Sequence, residues 1–131
     1  MEEKEVLLRL SEEGTYTAEM PSGSIEVGEK GLKPMELLLV SLAGCSGVDV
    51  YTILKKKRQK VEDVEIEVKG FRRDAHPRVY ESIKINYRIK GDVEPKAVEQ
   101  AIKLSLDKYC SVHAMLKNSC EIEVSYEICQ S

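Results

Sequence analysis

Two sulfurs raise the chemical question in this chain. Cys45 sits in "AGCSG", five small residues inside the apolar run "PMELLLVSLAGCSGVDVYTIL", and Cys110 follows 65 residues later in "KYCSVHAML". A thiolate is a nucleophile, a two-electron reductant and a metal ligand, so the surroundings of each sulfur decide which role it takes. Cys110 is placed to begin a helix, just after Lys108, where backbone N–H groups and a cation favour the thiolate. His113 follows at i+3, a Cys-x2-His spacing that supplies two of the four ligands a structural zinc needs. Around Cys45 the spacing is less favourable to ionisation. Asp49 lies one helical turn on, at i+4, and a carboxylate facing the sulfur would oppose its charge, while Ser41 lies one turn before. Among the remaining candidates, His76 in "DAHPR" reads as a turn residue, and Cys120 and Cys129 read as packing residues of a terminal strand.

Such residues need elements to hold them. With 131 residues the chain reads as one domain, 1–131, large enough to bury a core without disulfides. Four cysteines without a CxxC pair fit free thiols in a reducing compartment, and the acidic start "MEEKEVLLRL" lacks a basic leader, so a cytoplasmic location is expected. A net charge of −3 from 20 basic and 23 acidic residues gives no general attraction to phosphate, which argues against nucleic acid as a partner. Glu36, Asp49 and two glycines interrupt the most apolar segment, so it reads as a core helix rather than a membrane span.

That helix should run from Pro34 to about Gln59, with Pro34 and Glu36 suited to its first turn and "KKKRQK" to its last. Its first half is apolar nearly all round and must therefore be covered on all sides. Small residues at "AGCSG" would let a second backbone approach closely, since glycine in a helix otherwise costs about 1 kcal/mol relative to alanine. Three short strands precede it, "KEVLLRL", "GTYTAEM" and "SIEVGE", with "PSGS" as a hairpin turn. Two long alternating strands follow, "VEDVEIEVKGFRR" and "VYESIKINYRIKG", then a helix from Pro95, a second short helix after a break near Cys110, and a last strand "CEIEVSYEI". The order is βββαββααβ, an α+β chain with its long helix packed on an antiparallel sheet.

This order, with "PMELLL…GC" on the long helix and "YCSVHAML" after the second, resembles the OsmC/Ohr family of osmotically inducible and organic hydroperoxide resistance proteins, in its YhfA-like branch. The resemblance covers about Gly14 to Ile128. It implies an intertwined homodimer whose two long helices pack together, placing "AGCSG" at the seam. It also implies that Cys45 is the peroxidatic cysteine and Cys110 the resolving one, in a thiol-dependent peroxidase that reduces organic hydroperoxides to alcohols in stress defence. No metal, flavin or haem is implied, and an external thiol, dithiol, lipoyl-bearing protein or thioredoxin would regenerate the enzyme. Two positions depart from the family pattern: "PMEL" puts Met35 where family members carry glutamate and moves the carboxylate to Glu36, and only Arg9 is available for the family's arginine. On an ideal helix Glu36 and Cys45 are about 180° apart, so Glu36 could support the chemistry only from another subunit. "HPR" around His76 is similar to the YhfA-like branch and makes that histidine a second supporting candidate. Three further readings belong to other classes: a dimer that binds a small ligand or sulfur carrier without turnover, a cysteine hydrolase using Cys45 with His76 or His113, and a zinc protein using Cys45, Cys110 and His113.

Overall fold

A computed structural model describes residues 1–130. The described residues form two compact units, 1–38 and 39–130. In the first, β1 (Leu7–Glu12), β2 (Thr15–Met20) and β3 (Gly23–Gly28) make an antiparallel meander in that order. The expected "PSGS" turn closes on the pair Met20 and Gly23. Gly28 has φ +128, and a Cβ there would run into the carbonyl oxygen of Gly14, so the backbone crossing at this corner admits only glycine. Thr15 is buried and its Oγ1 accepts from the Lys30 N–H at 3.0 Å.

Helix α1 spans Pro34–Lys56. It stops three residues before the sequence pattern suggested because Arg58 adopts φ 60, and the Gln59 and Arg58 N–H groups turn back onto the Leu54 and Lys55 carbonyls at 3.0 Å each. This is a Schellman-type ending with arginine where glycine is usual. By length and composition α1 could cross a bilayer, yet its Leu42, Ser46, Val50 and Leu54 form a fully buried stripe at i, i+4, i+8 and i+12. Ser46 hydrogen-bonds inside that stripe, as expected of a core helix. The other side differs from expectation: Val40, Val48 and Tyr51 are exposed, so this face of the apolar helix is not covered by the chain's own core.

The second sheet has the order β4 (Lys60–Arg72), β5 (Tyr80–Asp92), β6 (Glu121–Cys129). β5 is central, and its alternate residues Ile83, Ile85, Tyr87 and Ile89 are buried while Lys84 and Lys90 stay exposed. Gly47 allows α1 to lie close to this sheet, since a Cβ there would come within 2.8 Å of Ile66 Cδ1 on β4. The sheet is mixed rather than antiparallel throughout: β4 and β5 pair antiparallel, but β6 runs parallel to β5. The reason is the connection. Helix α2 (Pro95–Leu104), a π-helical turn (Ser105–Tyr109) and α3 (Ser111–Leu116) carry the chain back to the start of β5, a crossover of the length parallel neighbours require. α2 buries Ala97, Val98, Ala101 and Ile102, whereas Leu104 at its end is exposed.

Candidate active site

The π-helical turn positions the second sulfur. Its closing bond, from the Cys110 N–H to the Ser105 carbonyl at 2.6 Å, ends the crossover's first helical stretch and leaves Cys110 as the N-cap of α3. π-helical turns of this kind recur at functional sites. Cys110 is 2% exposed. Its Sγ accepts from the His113 N–H at 3.4 Å. Cys45, half-buried in the middle of α1, meets it from the other side. The sulfurs of Cys45 and Cys110 and a carboxylate oxygen of Asp49 all lie within 4.8 Å of one another. The two cysteines singled out in the sequence are therefore neighbours, and Asp49 does face the sulfur pair.

Electrostatics at Cys110 run opposite to the helix-start expectation. Burial pushes its thiol up to about 11, against the lowering effect of the His113 N–H, and Cys45 and Asp49 push it further in the same direction. One N–H donor at a short helix does not offset desolvation of the whole sulfur. Cys110 thus holds its proton at neutral pH.

Asp49 is tied into a buried polar chain that sequence inspection missed. Ser105 Oγ donates to Asp49 Oδ2 at 3.0 Å. A hydroxyl has one proton, so at the 2.9 Å contact between Ser46 and Ser105 it is Ser46 that donates. Tyr87 must then donate to Ser46, at 2.7 Å. All three hydroxyl residues are fully buried, and the run Tyr87, Ser46, Ser105, Asp49 is oriented one way by the carboxylate at its end. Burial pushes the Tyr87 hydroxyl up to about 12. A signal existed in the sequence: Ser46 interrupts an otherwise apolar i, i+4 stripe, and Tyr87 stands in the inward row of β5, where a buried tyrosine hydroxyl needs a partner.

The other candidates are placed elsewhere. His113 Nδ1 bonds the Leu106 carbonyl at 2.9 Å, and the converging ligand group contains Asp49 in the position expected of His113. His76 is exposed in the bend between β4 and β5. Glu36 is exposed in the first turn of α1, and Arg9 is exposed on β1. Cys120 lies just before β6 rather than on it, half-buried, and Cys129 ends that strand exposed. Beside the cluster a cleft of about 410 Å³ opens between α1 and the crossover, lined by Asp49, Thr52, Ile53, Lys56, Leu104 and Tyr109 among others.

This arrangement of strands and helices has relatives. The family model for OsmC-like protein matches residues 27–125. The chain belongs to the OsmC-like family. Protein YhfA of Escherichia coli K12 is 41% identical over 102 residues, covering 77% of this chain and 76% of YhfA. A crystal structure of a hypothetical protein from Aquifex aeolicus VF5 is 57% identical, covers 100% of this OsmC-like chain and 99% of its own, and superposes with a TM-score of 0.98. An organic hydroperoxide resistance protein from Elizabethkingia anophelis, 11% identical, shares the OsmC-like fold with a TM-score of 0.73 over 97% of this chain and 96% of that one.

Proposed function

We propose that the protein is a thiol peroxidase that reduces organic hydroperoxides to alcohols; its structural relative from Elizabethkingia is named as an organic hydroperoxide resistance protein. The observation that carries the reading is the approach of two thiols, 65 residues apart in sequence, to within 4.8 Å across two elements. Their environments differ in the way the two roles demand. Cys45 is half-buried and reachable; Cys110 is enclosed and keeps its proton. Cys45 thiolate attacks the terminal peroxide oxygen, the O–O bond breaks, and the alkoxide leaves as alcohol after taking a proton. Cys45 becomes a sulfenic acid; Cys110 then attacks its sulfur, losing a proton and expelling water, to give a disulfide. An external dithiol, whether small, lipoyl-bearing or thioredoxin-type, returns both thiols by exchange. The cleft at Asp49 gives a small apolar substrate a route to the helix that bears Cys45.

We further propose that the protein works as a homodimer in the cytoplasm. Support for the dimer comes from the exposed row Val40, Val48 and Tyr51 on α1, and from Gly44 on the same face, where a Cβ would meet nothing within 4 Å. A second α1 is the occupant that such a smooth apolar helix face fits. Consumption of cumene hydroperoxide and hydrogen peroxide with excess dithiol tests the activity. Turnover should favour the organic peroxide and vanish in Cys45→Ser, while Cys110→Ser should stall after one equivalent unless the added thiol resolves the sulfenic acid directly. Turnover surviving in Cys45→Ser removes the proposal.

A further inference from the structure

Three donor atoms converging from two elements can do more than exchange electrons. Two sulfurs and a carboxylate oxygen within 4.8 Å of one another approach the spacing of a tetrahedral zinc site, where Zn–S bonds of about 2.3 Å put the sulfurs about 3.8 Å apart. Any remaining contraction, at most about 1 Å, is within side-chain rotation at Cys45, which lies in a run of small residues. A second feature is independent of the three donors. The carboxylate is oriented by Ser105, itself held by Ser46 and Tyr87, all of them fully buried. Hydrogen-bonded support behind a carboxylate ligand is what fixes its geometry at metal sites. The Asp49 side chain also borders the cleft, which leaves a path for entry and an open fourth position.

We propose that the reduced protein binds one Zn²⁺ per chain through Cys45 Sγ, Cys110 Sγ and an Asp49 oxygen, with water or a small thiol completing the site. Thiolates favour zinc over the harder magnesium and calcium. Zinc binding and disulfide formation exclude each other, because both claim the same sulfur electrons. Oxidation then releases the ion: the zinc dithiolate, one hydroperoxide and two solvent protons give Zn²⁺, the Cys45–Cys110 disulfide, one alcohol and one water. The metal therefore acts as a reversible cap on the dithiol, and binding does not depend on whether the protein turns over peroxide.

The test is titration of fully reduced, metal-free protein with Zn²⁺ against a chromophoric chelator, followed by Co²⁺ absorption to report thiolate ligation in tetrahedral geometry. Wild type should take up one equivalent with a cobalt–thiolate band. Cys110→Ser and Asp49→Asn should each lose stoichiometric binding while keeping wild-type circular dichroism, Ser105→Ala should bind about 10–100-fold more weakly, and Cys120→Ser with Cys129→Ser should change nothing. The disulfide form should bind no zinc. Absence of an equivalent in reduced wild type, or retention of it in Cys110→Ser, or its loss with Cys120→Ser and Cys129→Ser, overturns the site. Peroxidase assays on the same zinc-free samples separate this outcome from failure of the peroxidase reading.

Discussion

The one-way orientation of the buried hydroxyl chain predicts unequal costs for three substitutions that each remove a single oxygen. Ser105→Ala removes the donor to Asp49, a bond to a charged acceptor worth about 1.5–3 kcal/mol, and also leaves one upstream hydroxyl proton without an acceptor, about 1 kcal/mol more. The expected loss is about 3 kcal/mol. Ser46→Ala leaves Ser105 bonded to Asp49 but orphans the Tyr87 proton, an expected loss of about 2 kcal/mol. Tyr87→Phe removes the first donor of the chain and orphans no proton, so about 1 kcal/mol should suffice. Urea unfolding of the reduced protein, at one fixed concentration and with m unchanged, measures all three. Against a typical stability of about 5–15 kcal/mol these differences are readily resolved. A Tyr87→Phe loss equal to or above that of Ser105→Ala would refute the assigned direction, and losses below about 0.5 kcal/mol throughout would refute the network's contribution.

Other outcomes follow from single residues. With the Cys110 thiol at about 11 against an ordinary 9.0, its thiolate fraction near pH 8 is about a hundredfold lower, so timed alkylation with mass spectrometry should label exposed Cys129 first and Cys110 last. Because the native pKa is the higher one, the native state binds more protons than the unfolded state between about pH 9 and 11; stability of the reduced, metal-free protein should fall across that window, read as a lower urea midpoint at pH 10 than at pH 8. Gly44→Ala should raise stability by about 1 kcal/mol if the chain is monomeric, as the open space at that position allows, but should weaken a dimer packed through α1; sedimentation across concentrations checks the proposed sign, which is weakening. Gly28→Ala combines a strained φ with a collision against the Gly14 carbonyl and should cost at least about 2 kcal/mol by the same unfolding assay.

Much of the architecture is written in periodicity. The two-residue alternation of β5 and the caps of α1 are local signals, and both elements lie within a few residues of where the pattern puts them. What the sequence could not state is pairing. Nothing in "CEIEVSYEI" distinguishes a parallel from an antiparallel neighbour, because direction is set by the crossover, not by the strand. The site divides the same way. Cys45 and Cys110 stand out by residue type, while Asp49 facing them depends on how α1 is turned toward the crossover. At Cys110 the helix start was legible and the burial was not, and burial decided the direction of its pKa.

The parallel pairing of β5 and β6 also orders events in time. β4 and β5 are joined by a short bend and can zip up as a hairpin, but β6 finds β5 only after the intervening helices have folded back, and pairings of that sequence separation form late. Cys110 travels with those helices. Cys45 therefore lacks its matched partner until the crossover docks on α1, and proximity of the two sulfurs marks that docking, the step on which β6 pairing depends. A cross-linker short enough to bridge them would trap only chains whose crossover has docked, turning the pair into a clock for that step of folding.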